Sequence, residues 1–330
     1  QRFPHYYSLQ RMLVEWSIEL GPSETEAAAR ELLRIDPADA WAHRELALAL
    51  SKLGRTEDAS NHAREAISIE PQNSYSYSVY AHIRHVCNDT DDAKRNLRRA
   101  VELSVDNGGA IAALLGLAGT DTERKQALTF VQEQLFWQVV QGDGLLAWVD
   151  MASPILEPHE LLAELRLAHR ERPDLWHAWS SLSSQLARMG QLDEALSIAR
   201  QASEKVSHLP CVWLDLSSVH RWRNEPDAEI TAAQRAFEIN PGWARAALAL
   251  SDAFARAGKF DAALDVFERA LKHLPRIAHL HGARASLLWR QGKAEEALEA
   301  IEQALRLAPE YESAWSQLHE WSVEAGQNTR

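Results

Sequence analysis

The stretch GKFDAALDVFERALKHLP, residues 258–275, opens on a glycine, closes on a proline and carries apolar side chains at helical spacing in between. Related stretches begin at Gly292 (GKAEEALEAIEQALRLAP), Gly190 (GQLDEALSIARQASEKVSHLP) and Gly54 (GRTEDASNHAREAISIEP). Gly258, Ala263, Phe267, Ala270 and Pro275 return 34 residues later as Gly292, Ala297, Ile301, Ala304 and Pro309. The same step backwards meets Asn224, Glu229, Ala233, Ala236 and Pro241, then Gly190, Ala195, Ala199, Ala202 and Ser207. Leu161, Leu165, Ala168 and Pro173 fall on this frame, as do Gly54, Ala59, Ala63, Ala66 and Pro71, and Thr25, Ala29, Leu32 and Pro37. A period held without drift over most of a chain marks a repeat architecture, in which each unit is one supersecondary element.

Each recurring position has a physical reason. The small residue at Gly54, Gly190, Gly258 or Gly292 tolerates the left-handed backbone that ends one helix and admits the next. Alanines at Ala59, Ala195, Ala263 and Ala297 stand where two helices approach most closely, and Phe267, Ile301 and Leu97 close the gap between units. A charged side chain at such an alanine would overpack and bury an ion, at about 1–3 kcal/mol or more. Pro37, Pro71, Pro173, Pro241, Pro275 and Pro309 stop the second helix and turn the chain into the next unit.

This spacing and residue choice resemble the tetratricopeptide repeat family, whose 34-residue unit is a pair of antiparallel helices. The resemblance covers about residues 5–326. It implies an all-α fold: a right-handed α-solenoid superhelix of about nine 34-residue helix pairs plus a terminal helix, forming a single domain over residues 1–330. Regular repeats are expected over 5–104 and 174–311, degenerate ones over 105–173, and a capping helix over 312–326. The alternative for that last helix is a repeat cut short. Trp179, Trp213 and Trp315 fall on the fourth position of their units, where the family packs an aromatic between helices, which makes them core candidates.

Composition sets the class. Hydrophobic residues make 46% of the chain and charged residues 25%, the balance of a folding, soluble protein. No apolar run is long enough to cross a bilayer and QRFPHYYSLQRMLVEW lacks the layout of a signal peptide, so a cytoplasmic location is expected. Cys87 and Cys211 are too few and too far apart for a disulfide framework. A net charge of −12 disfavours nucleic acid and anionic membranes as partners. Gln1 in place of a methionine points to processing or to a longer parent chain.

The middle keeps the period and loses the pattern. VDNGGAIAALLGLAGTDTERKQ carries glycines inside its first helix, and Pro154 stands where another first helix should be finishing. Two readings compete: drift in repeats that still pack, or a hinge or docking place for a partner.

In the family resembled, first helices line the concave face, which exposes their second, fifth, sixth, ninth, twelfth and thirteenth positions. Those positions hold Trp41, then His82 and His85, and in the later repeats Arg188, Arg221, Trp222, Arg245, Arg256, Trp289 and Arg290. Guanidinium forks match carboxylates or phosphates and indole faces take apolar or cationic groups, so the expected ligand is a protein segment with acidic and apolar side chains. The competing reading has these arginines neutralised by Asp215, Asp252 and neighbouring glutamates. The family's carboxylate clamp, with asparagine at the sixth or ninth position, is missing.

Catalytic patterns are sparse. His82 and His85 are two metal-ligand candidates short of a set, HELLAELRLAHRER has Ala163 where a zinc motif needs histidine, and no phosphate-binding or nucleophile motif occurs. The expected function is therefore non-catalytic: a scaffold that binds a peptide segment or helix of a partner in its groove, with no cofactor and no metal. The alternative is the sensor or regulatory arm of a larger signalling ATPase, protease or glycosyltransferase. A protein prenyltransferase α-subunit ranks behind both, because its Pro/Asn/Tyr/Trp signature is not found.

Overall fold

The computed structural model describes residues 4–138 and 140–328, with side chains for 6–138 and 140–324. Gln1 lies outside the described residues. The chain divides into two compact units, residues 1–177 and 178–330. The first holds α1 (Pro4–Leu20), α2 (Pro22–Ile35), α3 (Ala40–Lys52), α4 (Thr56–Ile69) and α5 (Ser74–Val86). It continues with α6 (Thr90–Leu103), α7 (Gly108–Gly116), α8 (Asp121–Trp137), α9 (Asp143–Ala152) and α10 (Pro158–Glu171). The division falls just inside α11 (Trp176–Arg188). The second unit continues with α12 (Leu192–Lys205), α13 (Pro210–Trp222), α14 (Pro226–Ile239) and α15 (Ala244–Arg256). Then follow α16 (Phe260–His273), α17 (Ala278–Arg290), α18 (Ala294–Leu307) and α19 (Glu312–Asn328). The described residues thus form an all-α helical repeat solenoid of nine helix pairs and a terminal helix.

The turns explain the regularity. Six residues between a first and a second helix sit in the left-handed region: Gly54, Asn88, Gly190, Asn224, Gly258 and Gly292, with φ from 58° to 79°. At each, the following amide donates back to the carbonyl five residues earlier, as Arg55 to Leu50, Asp89 to Arg84 and Lys259 to Phe254, while the left-handed residue donates three back. This is the Schellman closure, and it fixes the angle at which the second helix leaves. Asparagine serves at 88 and 224 because its short polar side chain tolerates this region better than other non-glycine residues.

A second tie lies between repeats. The fourth position of five first helices carries a polar ring whose nitrogen or hydroxyl meets the carbonyl six residues earlier: His43 with Pro37, Tyr77 with Pro71, Trp213 with Ser207, His281 with Pro275 and Trp315 with Pro309. The distances run from 2.8 to 3.3 Å. These rings staple the turn that ends the preceding second helix. The expectation that Trp179, Trp213 and Trp315 are core residues holds for Trp179 alone. Trp213 is half-buried and Trp315 is 53% exposed, since no second helix follows α19 among the described residues.

Packing follows the frame. Ala59, Ala63, Ala195, Ala263 and Ala297 have no exposed surface, and Leu97, Phe267 and Ile301 are buried between units. Within each regular pair the second helix packs along the first, as α6 on α5 and α18 on α17. The first helices α3, α5, α7 and α9 also touch in succession, as do α13, α15 and α17.

The irregular middle preserves the repeat phase. α8 begins at Asp121, three residues ahead of the frame, whereas α10 begins at Pro158, back on it. Polar staples join the turns that link one pair to the next. The Asp106 carboxylate accepts from the amides of Gln141, Gly142 and Gly144, and Gln138 bonds the backbone of Val101, Glu102 and Val105. Arg172 donates to the carbonyls of Leu135 and Gln138. Close approach demands glycine here: a Cβ on Gly144 would lie 2.3 Å from the Val105 carbonyl oxygen. At Gly258 a Cβ would meet nothing within 4 Å, so only the backbone angle is at stake. Gly258→Ala should cost about 1 kcal/mol, and Gly144→Ala about 3 kcal/mol because backbone must move. Urea unfolding of the two variants checks the order; equal costs would contradict it.

Candidate functional site

The first-helix faces hold two hollows at equivalent places in the repeat. In the first unit, a hollow of about 630 Å³ lies between α5 and α7 over α6. In the second, one of about 530 Å³ lies between α15 and α17 over α16. Tyr75, Ser78, Val79, His82 and His85 line one wall of the first; Arg245, Leu248, Ala249, Asp252 and Ala255 line the same wall of the second, each 170 residues further on. The floors are Leu97 and Phe267, and the opposite walls are Ala113, Gly116 and Leu117 against Ala283, Ser286 and Leu287. The second, fifth, sixth, ninth and twelfth positions of a first helix therefore face the hollow, as the sequence frame expected.

The second-unit hollow is charged. Arg245 and Arg290 stand at its rim, and Arg290 also lies over the Phe260 ring at 5.4 Å. Asp252 accepts from Arg256 and lies 3.6 Å from Arg221. Arg256 has a second partner, Glu229. Glu229 occupies the position that is alanine in most repeats and is 6% exposed, so Arg256 answers a carboxylate buried at the helix–helix approach. Four guanidiniums (Arg221, Arg245, Arg256, Arg290) thus face three carboxylates (Asp215, Asp252, Glu229), which leaves a local positive surplus. Asp215 is half-buried, with its Oδ2 shielded from water. Its Oδ2 has no hydrogen-bond partner among the described residues, and burial, opposed by a hydrogen bond with Ser180 and by Arg245, raises its carboxyl to about 6.

The other expected residues are placed as follows. Arg188 is exposed and makes no ion pair among the described residues, so no contact joins it to this set. Trp222 is 59% exposed at the end of α13. Trp289 stacks on Trp321 at 4.9 Å, half-buried instead of open. Trp41 lies under Arg11, whose guanidinium is 4.6 Å from the ring centroid.

The first-unit hollow is mostly apolar. Asn107 caps α7 through the Ala110 amide and donates to Ser74 and Ser78, which fixes its inner corner. The His82 and His85 rings stand at the mouth without a hydrogen bond or ion pair to a described residue. Burial, then His85 and Lys52, lowers the His82 pKa, so this imidazole is neutral near pH 7. No group of three or more His, Cys, Asp or Glu able to hold a metal ion occurs among the described residues.

Models of the tetratricopeptide repeat match residues 248–312 and 45–73, and a PPR repeat model matches residues 177–201. These matches fall on helix pairs with the turns and phase described above. The chain carries tetratricopeptide repeats. No curated protein matches this repeat protein. Among solved structures it is similar to a chain of the APC/C hetero-tetramer Cut9-Hcn1, at 15% identity and a TM-score of 0.42 over 91% of this chain and 52% of that one. It is also similar to TTC0263, a thermophilic TPR protein in Thermus thermophilus, at 18% identity and a TM-score of 0.43 over 60% of this chain and 99% of that one. The chain spans about half the length of the first of these relatives. No helix among its described residues is long and apolar enough to cross a membrane.

The competing expectation, arginines paired with Asp252 and a neighbouring glutamate, holds for Arg256, and the glutamate is Glu229, which breaks the alanine column. Arg256→Ala should lower stability by about 2 kcal/mol by stranding that carboxylate. Glu229→Ala should cost less, and the double variant should match Glu229→Ala alone, a coupling that a double-mutant cycle in urea measures. Asp215 gives a pH signature. Its folded pKa lies above the unfolded one, so it lowers stability as pH rises from about 4 through about 6. Asp215→Asn should gain of order 2 kcal/mol above about pH 7 relative to its effect below about pH 4; a gain independent of pH would contradict this.

Proposed function

We propose that this repeat protein is a non-catalytic interaction scaffold whose first-helix faces capture an extended segment or a helix of a protein partner. The observation that carries this reading is the recurrence of one hollow, at one register, in both units. Such a face offers ready-made space, loses little entropy of its own on binding, and leaves affinity to a few desolvated anchors.

Arg245, Arg290, Arg221 and Trp222 are the proposed contacts in the second unit, with His82 and His85 in the first. Guanidiniums with a surplus over their own carboxylates favour acidic side chains on the ligand. Arg256 is excluded from the role of free ligand contact by its engagement with Glu229, and Trp289 by its stacking on Trp321. Arg188 and Trp41 stand as secondary candidates on the same faces.

A displayed pool of short linear peptides, panned on the full chain and followed by hydrogen exchange, tests the reading. Enriched peptides should slow exchange in the first helices α5 and α7, or α15 and α17, and leave second helices unchanged. Acidic peptides seated on α15 and α17 should bind Arg245→Glu/Arg290→Glu about tenfold more weakly and with less salt sensitivity. No enrichment over an unrelated protein, or slowing confined to second helices, would overturn the proposal.

A further inference from the structure

The two hollows share a mould and differ in lining, and the difference names a ligand for the first. α7 presents Gly109, Ala113 and Gly116 at its second, sixth and ninth positions, so between Asn107 and Leu117 this wall has no lining side chain beyond a methyl group. Leu48, Val79 and Leu97 supply apolar surface opposite and beneath. The mouth is basic: His82 and His85 are one helical turn apart on α5, and Lys52 of α3 is close enough to disfavour a proton on His82. The other titratable groups on this side are Tyr75 of α5 and Glu45 of α3, and the Glu45 carboxyl is itself pushed up by burial against the pull of Arg44 and Lys52. α6 and α7 contribute no titratable side chain to the hollow.

We propose that this hollow anchors a bulky apolar side chain of a partner segment, with His82 and His85 receiving the carboxylate of an adjacent acidic residue. The inference rests on the scaffold reading above and specifies what one of its sites takes. Space is the first reason: the small wall leaves about 630 Å³ over an apolar floor, in the range of pockets that bury aromatic groups. Charge is the second. Two imidazoles share one rim, with Lys52 near enough to act on His82, and an incoming carboxylate favours a proton on these rings.

The probe is a hexapeptide with adjacent Phe and Glu between Gly-Ser ends, blocked at both termini so that no terminal carboxylate takes part. Histidine ring NMR signals of the full chain, assigned with His82→Gln and His85→Gln, report binding. The expected result is a shift of both rings, with affinity higher at about pH 6 than at about pH 8. Replacing the peptide's Phe by Gly, or its Glu by Lys, should weaken binding by about tenfold or more. Gly116→Leu adds bulk at the hollow from a position where a Cβ meets nothing within 4 Å, and should abolish the shifts while helical circular dichroism is retained. Ala113→Leu is the second filling variant. Equal binding of the Phe and Gly peptides, or unchanged affinity in both filled variants, would overturn the proposal. Should pool-selected peptides still protect the first helices in that case, only the anchor assignment fails; an empty pool sinks the scaffold reading itself.

Discussion

No helix pair among the described residues closes its own apolar face. Ala59, Ala63, Ala263 and Ala297 are fully buried because a neighbouring helix sits directly on them, and larger side chains such as Phe267 and Ile301 bridge to the next pair. Stability is therefore shared between neighbours, and every pair must present its face at the right angle to receive the following one. The left-handed residue after each regular first helix enforces that angle. Glycine and asparagine supply it at low strain, and the paired bonds of the Schellman turn lock it.

The middle of the first unit shows what happens when that device is missing. Between α7 and α8, and between α9 and α10, no left-handed residue closes the turn among those described. The second helix begins early and the next first helix is short, yet the frame recovers at α10. Side chains tie successive pairs together here: Asp106 gathers three amides, Gln138 joins the end of α6 and the turn after it, and Arg172 spans to α8. Trp148 is buried there with its indole nitrogen on the Leu128 carbonyl. Irregular sequence here means a different way of holding the same phase.

The period, the turn residues and the alanine column were legible in the sequence because each is a local requirement repeated many times. The positions that face the hollows were legible for the same reason. Less visible were features that depend on two columns at once. Glu229 reads as an outlier until Arg256, on the following first helix, is placed beside it. Trp213 and Trp315 at the fourth position read as core aromatics, because their bond to the carbonyl six residues earlier emerges only when the inter-repeat turn is folded. Gly109 and Gly116 look like helix weaknesses, since glycine lowers helical propensity. Their other effect, an open wall beside α5, belongs to the pair of helices and to neither sequence alone.

A repeat fold separates the residues that hold it together from those that meet a ligand. The alanine and leucine columns bury the core, whereas the sixth and ninth positions of α5, α7, α15 and α17 line the hollows. The two hollows illustrate the result. With Leu97 beneath and glycine beside it, one is apolar with a histidine rim; with Phe267 beneath and Arg245, Asp252 and Arg290 around it, the other is ionic. Net charge hides this contrast, since a chain of −12 carries its local positive surplus on the first-helix face of the second unit. Charges placed there are only partly screened by water, so each guanidinium not matched by a carboxylate of the chain itself keeps an unmet preference for one from outside. Selectivity in such a scaffold is accordingly written in a handful of positions per repeat, over a core that stays the same.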